Sequence, residues 1–414
     1  MDAAALGASL PLWSVLPFAG FLLAIALCPL VAPRAWARHY GKAALLFGAP
    51  VALWFLVIAP RELLHTAAEY ASFLVLLGSL FTVSAGVLVR GTVAGTPASN
   101  AAFLAAGAVA ANVFGTTGAS MLLLRPYLRG NAGRPGSGRA VVFFIFVVSN
   151  MGGLLTPVGD PPLFLGYLRG VPFFWTLSHL WPIWLLGCGT VIAVYLAGET
   201  FRGRPAREAR AAAEPAPRAP FAIEGKENLL YLAVVVGAVF LPAPAREIAM
   251  TAAAAASFLR TPARIREENG FSWHPIREVA ILFAGIFAAM MPALLILKGR
   301  GGALGVTSPD QYFWATGGLS SVLDNAPTYL AFLALAQGSG GPPEVAGVPS
   351  QVLAAISVGA VFMGANSYIG NAPNFMVKAV AEGAGVRMPS FLGYMAYAAL
   401  VLLPVFALVT WIFF

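Results

Sequence analysis

Hydrophobic residues run through this chain in long segments, and glycine, proline and polar residues interrupt two of these segments near their middle. The first covers about 139–170 and carries SNMGGLLTPVGDPP at 149–162. The second covers about 350–382 and carries ANSYIGNAPN at 365–374. A straight membrane-spanning helix needs only about 20 residues, and glycine and proline disfavour an unbroken helix. Each segment is therefore predicted to be a membrane helix that is broken halfway across the bilayer.

The two broken segments match each other in sequence. Asn150 precedes Pro157 by seven residues, and Asn366 precedes Pro373 by the same spacing. This spacing predicts that Asn150 and Asn366 occupy equivalent positions in two related halves. Two broken helices that are polar at the break and matched between halves are typical of the midplane site of a secondary transporter.

Two further apolar stretches, about 97–126 and about 309–337, are interrupted in a different way. Small or polar residues fill their middle, NVFGTTGAS at 112–120 and SSVLDNAPT at 320–328. This pattern predicts re-entrant helical hairpins that enter and leave the membrane on one side. Irregular backbone at membrane depth is tolerated only where it is buried in protein or lines a wet cavity. The hairpin tips and the broken helices are therefore expected to surround one central site.

The remaining apolar segments predict continuous spans. They lie at about 11–32, 41–59, 68–90, 176–200, 228–243, 246–260, 277–298 and 391–413. Three spans, a hairpin, a broken helix and one span thus fill residues 1–200, and the same series recurs in 228–414. Residues 201–227, rich in arginine, alanine and proline, are predicted to be a cytoplasmic linker without a fold of its own. The predicted fold class is an all-α polytopic membrane protein built from two repeats.

The basic residues orient this scheme. With the N-terminus outside, 20 of the 25 lysines and arginines fall on the cytoplasmic side, as the positive-inside rule requires. Treating either hairpin as a full crossing would move basic loops to the wrong side. The scheme gives the halves opposite orientations, and it predicts a multi-pass protein of the bacterial inner membrane with both termini outside. Inverted repeats of this kind provide alternating access.

Composition excludes several other classes. The chain of 414 residues is 59% hydrophobic and 10% charged, whereas a soluble domain carries about 25% charged residues. The net charge of +8 is spread between apolar segments, so no nucleic-acid partner is expected. The N-terminus lacks a basic n-region, so no cleaved signal peptide is expected. No phosphate loop, His/Cys metal cluster or Ser/His/Asp set appears, and the sequence therefore predicts neither an enzyme nor a resident cofactor.

Ionisable groups inside a membrane segment are rare and are functional candidates by default. Asp160 precedes Pro161 and Pro162, so it could cap the second half-helix or offer its carboxylate to a cation or a proton. The same two interpretations apply to Asp324, at the tip of the second hairpin. Three groups at an outer loop are expected to form a solvated rim instead: Glu62, His65 and Glu69.

Neutral polar residues accompany both aspartates. They are Asn112, Thr116 and Thr117 at the first hairpin tip, Asn150 and Thr156 in the first broken helix, Asn325 and Thr328 at the second tip, and Asn366, Ser367 and Asn371 in the second broken helix. Side-chain oxygens and carbonyls freed by unwinding are hard ligands that suit a cation of the size of Na⁺. Asp160, Asp324, Asn150 and Asn325 are the predicted Na⁺ ligands. Any single asparagine could instead join helices by hydrogen bonds.

At these residues the chain resembles a known family. NVFGTTGASMLLLRPYLRGN, SNMGGLLTPVGDPPLFLGYLRGVPF and GNAPNFMVKAVAEGAGVRMPSF are similar to segments of NhaD-type sodium/proton antiporters and of their citrate transporter-like bacterial relatives in the ion transporter superfamily. The resemblance covers about 40–414 apart from the linker. It implies a homodimer with a scaffold domain, a mobile transport domain and an elevator-type movement. Dicarboxylate carriers of the superfamily use Ser-Asn-Thr motifs, but here Met151 follows Asn150 and Ser367 follows Asn366.

These observations predict a secondary transporter that exchanges Na⁺ for H⁺ by alternating access and needs no cofactor beyond the transported ions. The alternative is Na⁺- or H⁺-coupled transport of citrate or another carboxylate, bound by positive half-helix N-termini. A membrane enzyme would need a nucleophile–base or metal cluster, and a passive channel would not need inverted hairpins. The expected partners are the lipid bilayer, a small cation or a carboxylate, and a second copy of the chain.

Overall fold

The computed structural model describes residues 3–91, 94–134, 136–201 and 222–414. Helices make up 78% of it, which confirms the predicted all-α polytopic class. In the first half the helices are α1 (Ala3–Ser9), α2 (Leu16–Val31), α3 (Pro33–Ile58), α4 (Pro60–Ser84), α5 (Pro97–Gly130), α6 (Ser137–Val147), α7 (Pro161–Leu168) and α8 (Trp175–Thr200). In the second half they are α9 (Glu227–Ala238), α10 (Ala245–Arg260), α11 (Ala263–Glu268), α12 (His274–Arg300), α13 (Pro309–Ser320), α14 (Asn325–Gly338), α15 (Ser350–Met363), α16 (Ala372–Gly383) and α17 (Phe391–Phe413).

Length and apolar composition make this a multi-pass membrane protein. Within the described residues, 8 helical segments are long and apolar enough to span a bilayer. They comprise Leu12–Val31, Pro33–Ile58, Pro60–Ser84, Pro97–Gly130, Ser137–Leu155, Trp175–Thr200, His274–Leu304 and Phe391–Phe413. The predicted spans 228–243 and 246–260 correspond to α9 and α10, which have only 12 and 16 residues. Both are shorter than the roughly 20 residues of a straight span.

The first interrupted stretch folds back on itself within α5. Gly115 breaks the helix with φ 73° and ψ 157°, a conformation that L-residues with a side chain rarely adopt. The two ends of α5 then meet, because Asn100 Nδ2 donates to Asn131 Oδ1 at 2.7 Å and the rings of Phe103 and Tyr127 stack. A straight helix would hold Asn100 and Asn131 about 46 Å apart. The stretch is therefore a hairpin with Gly115 at its tip.

The second interrupted stretch also forms a hairpin, from α13 and α14. Its open end is held by a hydrogen bond of 2.9 Å between Tyr312 Oη and Ser339 Oγ. At the tip, Asp324 caps α14, because its Oδ1 accepts a hydrogen bond of 3.0 Å from the Ala326 amide. The side of the membrane from which each hairpin enters stays a prediction of the charge bias.

Both broken helices have the same local backbone. Between α6 and α7 the chain turns so tightly that a Cβ at Gly159 would overlap the Gly153 carbonyl. Between α15 and α16 a Cβ at Gly370 would overlap the Gly364 carbonyl in the same way. The residues that follow these turns, Asp160 and Asn371, have nearly identical φ/ψ values of −144°/143° and −152°/142°.

This repeated geometry changes the predicted equivalence of the two halves. Aligning the glycine pairs places Asn371 at the position of Asp160 and Ser367 at the position of Thr156. Asn366 is therefore not the counterpart of Asn150, although both stand seven residues before a proline. The prediction from that spacing was wrong because Pro373 is the second residue of α16 and corresponds to Pro162 of α7, not to Pro157.

A two-stranded ribbon connects the halves. Strand β1 (Leu88–Arg90) pairs antiparallel with β2 (Ala222–Glu224). Residues 202–221 of the predicted linker lie outside the described residues, but 222–224 differ from the prediction because they form this strand. Glu224 binds Arg90 and Arg264, and both arginines also bind Glu268. Hydrogen bonds from Arg90 and then Arg264 hold the pKa of the Glu224 carboxyl below its usual range.

Helices α4 and α12 separate the interrupted elements from the N-terminal helices. Helix α4 packs against α5 and α7, and α12 packs against α14 on one side and against α1 and α3 on another. The two hairpins pack in turn on the broken helices, α5 on the turn Met151–Leu155 and α13 on α15. This arrangement surrounds the breaks with protein, as irregular backbone at membrane depth requires.

Candidate functional site

Asp160 lies where all four interrupted elements meet. Its side chain, at the start of α7, receives hydrogen bonds from Thr116 Oγ1 at 2.7 Å, from Asn325 Nδ2 at 2.6 Å and from Asn371 Nδ2 at 3.2 Å. These donors belong to the first hairpin, the second hairpin and the second broken helix. The residue is only 1% exposed. One carboxylate therefore joins elements that are more than 200 residues apart in sequence, as in the pair Asp160–Asn371 at a separation of 211.

For each aspartate the sequence left two roles open, capping of a helix or binding of an ion, and the structure distinguishes the two residues. Asp160 makes no capping hydrogen bond to α7, and both of its carboxylate oxygens are directed to other elements. Asp324 does cap its own helix, α14, and its backbone carbonyl accepts a hydrogen bond of 2.9 Å from Thr328. Asp324 also lines the same cavity as Asp160. Asp160 is therefore the better candidate for chemistry, and Asp324 has at least a structural role.

A series of hydrogen-bonded asparagines extends from Asp160 and joins the two halves. Asn371 Nδ2 lies 3.2 Å from Asn150 Oδ1, and Asn150 Nδ2 donates to Asn374 Oδ1 at 2.7 Å. Asn374 Nδ2 then donates to the freed carbonyls of Gly364 and Ser367, both at 2.9 Å. Asn150 thus reaches Asp160 only through Asn371, so of the four predicted Na⁺ ligands only Asn325 bonds directly to Asp160.

Other predicted site residues tie the first hairpin to the first broken helix. Asn112 Nδ2 donates to the Gly152 carbonyl at 2.7 Å, and Asn112 Oδ1 accepts from the Leu155 amide at 2.8 Å. Thr156 Oγ1 donates to the Asn112 carbonyl at 2.6 Å. These bonds satisfy backbone groups that the break leaves free. No hydrogen bond joins Asn112 or Thr156 to Asp160 among the described residues, so they hold the hairpin in place.

Equivalent ties hold the second hairpin. Ser367 Oγ donates to the Ser321 carbonyl at 2.6 Å, in the same way that Thr156 bonds to Asn112. Asn366 Nδ2 donates to Ser321 Oγ at 2.9 Å. Asn366 and Ser367 therefore fix the second broken helix against its hairpin.

A cavity of about 110 Å³ lies beside Asp160. The interrupted elements contribute its polar wall, which includes Thr116, Thr117, Asp324, Asn325 and Asn371. Helices α4 and α12 contribute an apolar wall: Phe73, Leu76, Leu77, Leu80, Phe81, Ile276, Val279 and Phe283. Sequence reasoning missed this wall, because nothing distinguishes these residues from those of an ordinary span. Among the described residues, the charged groups that line the cavity are Asp160 and Asp324, and no Lys, Arg or His joins them.

The oxygen atoms around this cavity are suited to a hard cation. Asn325 Oδ1 is buried and has no hydrogen-bond partner among the described residues, although the Nδ2 of the same amide binds Asp160. An unsatisfied buried polar atom costs about 1–3 kcal/mol. The Asn325 oxygen, the Asp160 carboxylate and the Thr116 hydroxyl together form a set of the ligand type that Na⁺ takes.

The expectation of a solvated rim at the outer loop was wrong for Glu69. This residue is only 6% exposed, and Arg169 binds both of its carboxylate oxygens, at 3.1 and 2.9 Å. The pair joins α4 to the C-terminal end of α7. It lines a second cavity of about 350 Å³ together with Glu62, His65 and Lys298. This carboxylate at the edge of an apolar span can be buried because Arg169 compensates its charge. The arginine lies 100 residues away in sequence, so no local pattern marks the pair.

Paired hairpins and broken helices around a buried carboxylate, in a multi-pass membrane protein, define the class of secondary transporters. A comparison with protein-family models supports this class. Residues 7–414 match the model of a family described as "Putative citrate transport", and the chain belongs to that family. No curated protein matched the chain.

Proposed function

We propose that this transporter exchanges Na⁺ for H⁺ at Asp160. The observation that carries the proposal is the cavity beside Asp160, whose described lining residues include two carboxylates and no basic side chain. A site with this charge attracts a cation and repels a polyanion. Asp160 also accepts hydrogen bonds from both hairpins and from the second broken helix, so its ligand can act on all of them.

Competition for one carboxylate couples the two ions. An ionised carboxylate in a water-poor site is costly unless a cation compensates it or a proton neutralises it. Asp160 therefore holds either Na⁺ or H⁺. With neither bound, an uncompensated negative charge would face the apolar wall of α4 and α12, which is energetically costly. Because only the two loaded states move readily past an apolar wall, the exchange is obligatory.

Asn325 adapts the site to either ion. Its Nδ2 donates to the Asp160 carboxylate in this structure, while its Oδ1 has no partner among the described residues. A half-turn of the amide exchanges donor for acceptor and presents Oδ1 to a cation or to a carboxylic acid proton. Asn371 Nδ2, at the position equivalent to Asp160 in the other half, stabilises the ionised form.

Transport of a carboxylate such as citrate is the second candidate, and two observations favour it. The family description names citrate. In addition, the N-termini of α7, α14 and α16 lie at the cavity through Asp160, Asn325 and Asn371, and helix N-termini attract anions. In this case Asp160 and Asp324 would each need a cation or a proton before a polyanion could bind.

Proteoliposomes test the proposal. With Na⁺ inside and a pH-sensitive dye in the lumen, an outward Na⁺ gradient should drive H⁺ uptake in the wild type. Asp160→Asn should abolish it, whereas Asp310→Asn, an acid at the start of α13 outside the cavity, should exchange normally. Asp324→Asn keeps a residue that caps helices well, so a loss of exchange in that variant would come from the lost charge.

Two results would overturn the exchange mechanism. Normal exchange by Asp160→Asn would remove Asp160 from it. Accumulation of radiolabelled citrate that depends on an inward Na⁺ or H⁺ gradient, with no Na⁺/H⁺ exchange in its absence, would replace exchange by citrate symport.

A further inference from the structure

A groove of about 820 Å³ runs between α3 and α12, away from the site at Asp160. The two helices are parallel, because a Cβ at Gly41 would contact Ile281 and one at Gly48 would contact Gly285. Small residues form its floor: Gly41, Ala44, Gly48, Ala52, Gly285 and Ala288. No described element covers this groove, so it is open to the lipid of the membrane.

One end of the groove is strongly basic. Arg38 and Lys42 lie one turn apart on α3, and His274 and Arg277 lie in the first turn of α12. Arg38, Lys42 and Arg277 form no ion pair with any described residue, whereas His274 lies 3.9 Å from Glu278. Three cations without a carboxylate partner among the described residues thus lie together at one end of the groove.

The length of the groove matches one membrane leaflet. From Arg38 to Ala52 the helix rises about 21 Å, at about 1.5 Å per residue. Half of a bilayer with its head groups measures about 20–22 Å. The basic end therefore lies at the level of the lipid head groups when the small-residue floor lies in the hydrocarbon.

We propose that this groove binds an anionic phospholipid. Its phosphate lies among Arg38, Lys42 and Arg277, and an acyl chain lies along the floor of small residues. Basic pockets between membrane helices bind acidic lipid head groups in this way, and the cytoplasmic leaflet, to which the charge bias assigns this end, carries the anionic lipids.

A second copy of the chain fits the groove less well. Two copies related by a two-fold axis along the membrane normal would bring both basic ends into the same leaflet. Face-to-face packing of the grooves would then oppose like charges at their basic ends, which is unfavourable in an interface. A lipid phosphate supplies negative charge at this end, whereas the same groove of a second copy would add positive charge.

Native mass spectrometry tests the proposal on the full chain, released from nanodiscs that contain equal amounts of phosphatidylglycerol and phosphatidylcholine. The wild type should retain phosphatidylglycerol in preference to phosphatidylcholine. The triple variant Arg38→Gln, Lys42→Gln, Arg277→Gln should lower its apparent affinity by about tenfold or more, because each basic residue near the surface contributes to binding. Ala284→Leu, which fills the groove and leaves every charge in place, should lower it too.

The matched control removes three exposed basic residues outside the groove and on the same predicted side: Lys226→Gln, Arg260→Gln and Arg387→Gln. Its apparent affinity for phosphatidylglycerol should stay within about twofold of that of the wild type. An equal loss of apparent affinity for phosphatidylglycerol in both triple variants would overturn the proposal, because it would indicate non-specific attraction to basic surface residues. Equal retention of the two lipids by the wild type would overturn it as well. A lipid-free dimer that Ala284→Leu dissociates would show that the groove is a subunit interface.

Discussion

Replacing Asp160 by asparagine separates its part in ion binding from its part in folding. The carboxylate receives three hydrogen bonds, and each bond to a charged group contributes about 1.5–3 kcal/mol. Asp160→Ala would remove them all. In Asp160→Asn, the new amide can still accept from Thr116. After a half-turn of the Asn325 amide, it can also donate to Asn325 Oδ1, which has no partner among the described residues of the wild type. We therefore expect Asp160→Asn to fold with unchanged or higher stability in the absence of Na⁺.

The same substitution should remove the effect of Na⁺ on stability. At a Na⁺ concentration of 100 times Kd, a ligand that binds only the folded state stabilises it by about 2.7 kcal/mol. For a chain of 414 residues, with about 2.1 cal/mol/K of unfolding entropy per residue, this raises Tm by about 3 °C. A thermal-shift assay in NaCl against choline chloride should show this shift in the wild type and in Asp310→Asn, and none in Asp160→Asn. An equal shift in all three proteins would refute Na⁺ binding at Asp160.

Three other perturbations test neighbouring parts of the structure. If protons compete for the same carboxylate, the Na⁺-induced rise in Tm should shrink as the pH falls, and a rise that is constant with pH would contradict the competition. Gly115→Ala should destabilise the first hairpin by about 1–3 kcal/mol, because φ 73° and ψ 157° are accessible to little but glycine, and thermal unfolding would show the loss. Gly78→Ala, with nothing within 4 Å of the new Cβ, should not destabilise the protein in this way. Glu69→Gln should cost about 3 kcal/mol because it leaves Arg169 without its carboxylate in a largely buried position, while His65→Gln, at an exposed position, should be nearly neutral in the same assay.

Sequence reasoning located the interrupted elements because their breaks have a local cause. Gly115 is needed where φ is positive, and Gly153 and Gly159 are needed where two turns of the backbone touch. The composition of these segments therefore marks the breaks directly. Asp160 stood out because an acid inside an apolar segment requires compensation. These signals lie within a few residues of the feature that they predict.

What the sequence did not reveal depends on contacts between distant residues. The spacing to proline paired Asn150 with Asn366, but the donor that reaches Asp160 is Asn371. The apolar wall of α4 and α12 has the composition of any span. Burial of Glu69 follows from an arginine that only the tertiary fold brings close. A pattern along the chain contains no information about such partners unless the topology is already known.

The ribbon of β1 and β2 gives the two repeats a direct contact that does not run through residues 202–221. Strand β2 begins immediately after residues 202–221 and is hydrogen-bonded to the first repeat, and Asn228 Nδ2 donates to the Gly86 carbonyl at 2.9 Å. Two polypeptides separated by a cut within 202–221 should therefore co-purify as one transporter when they are expressed together.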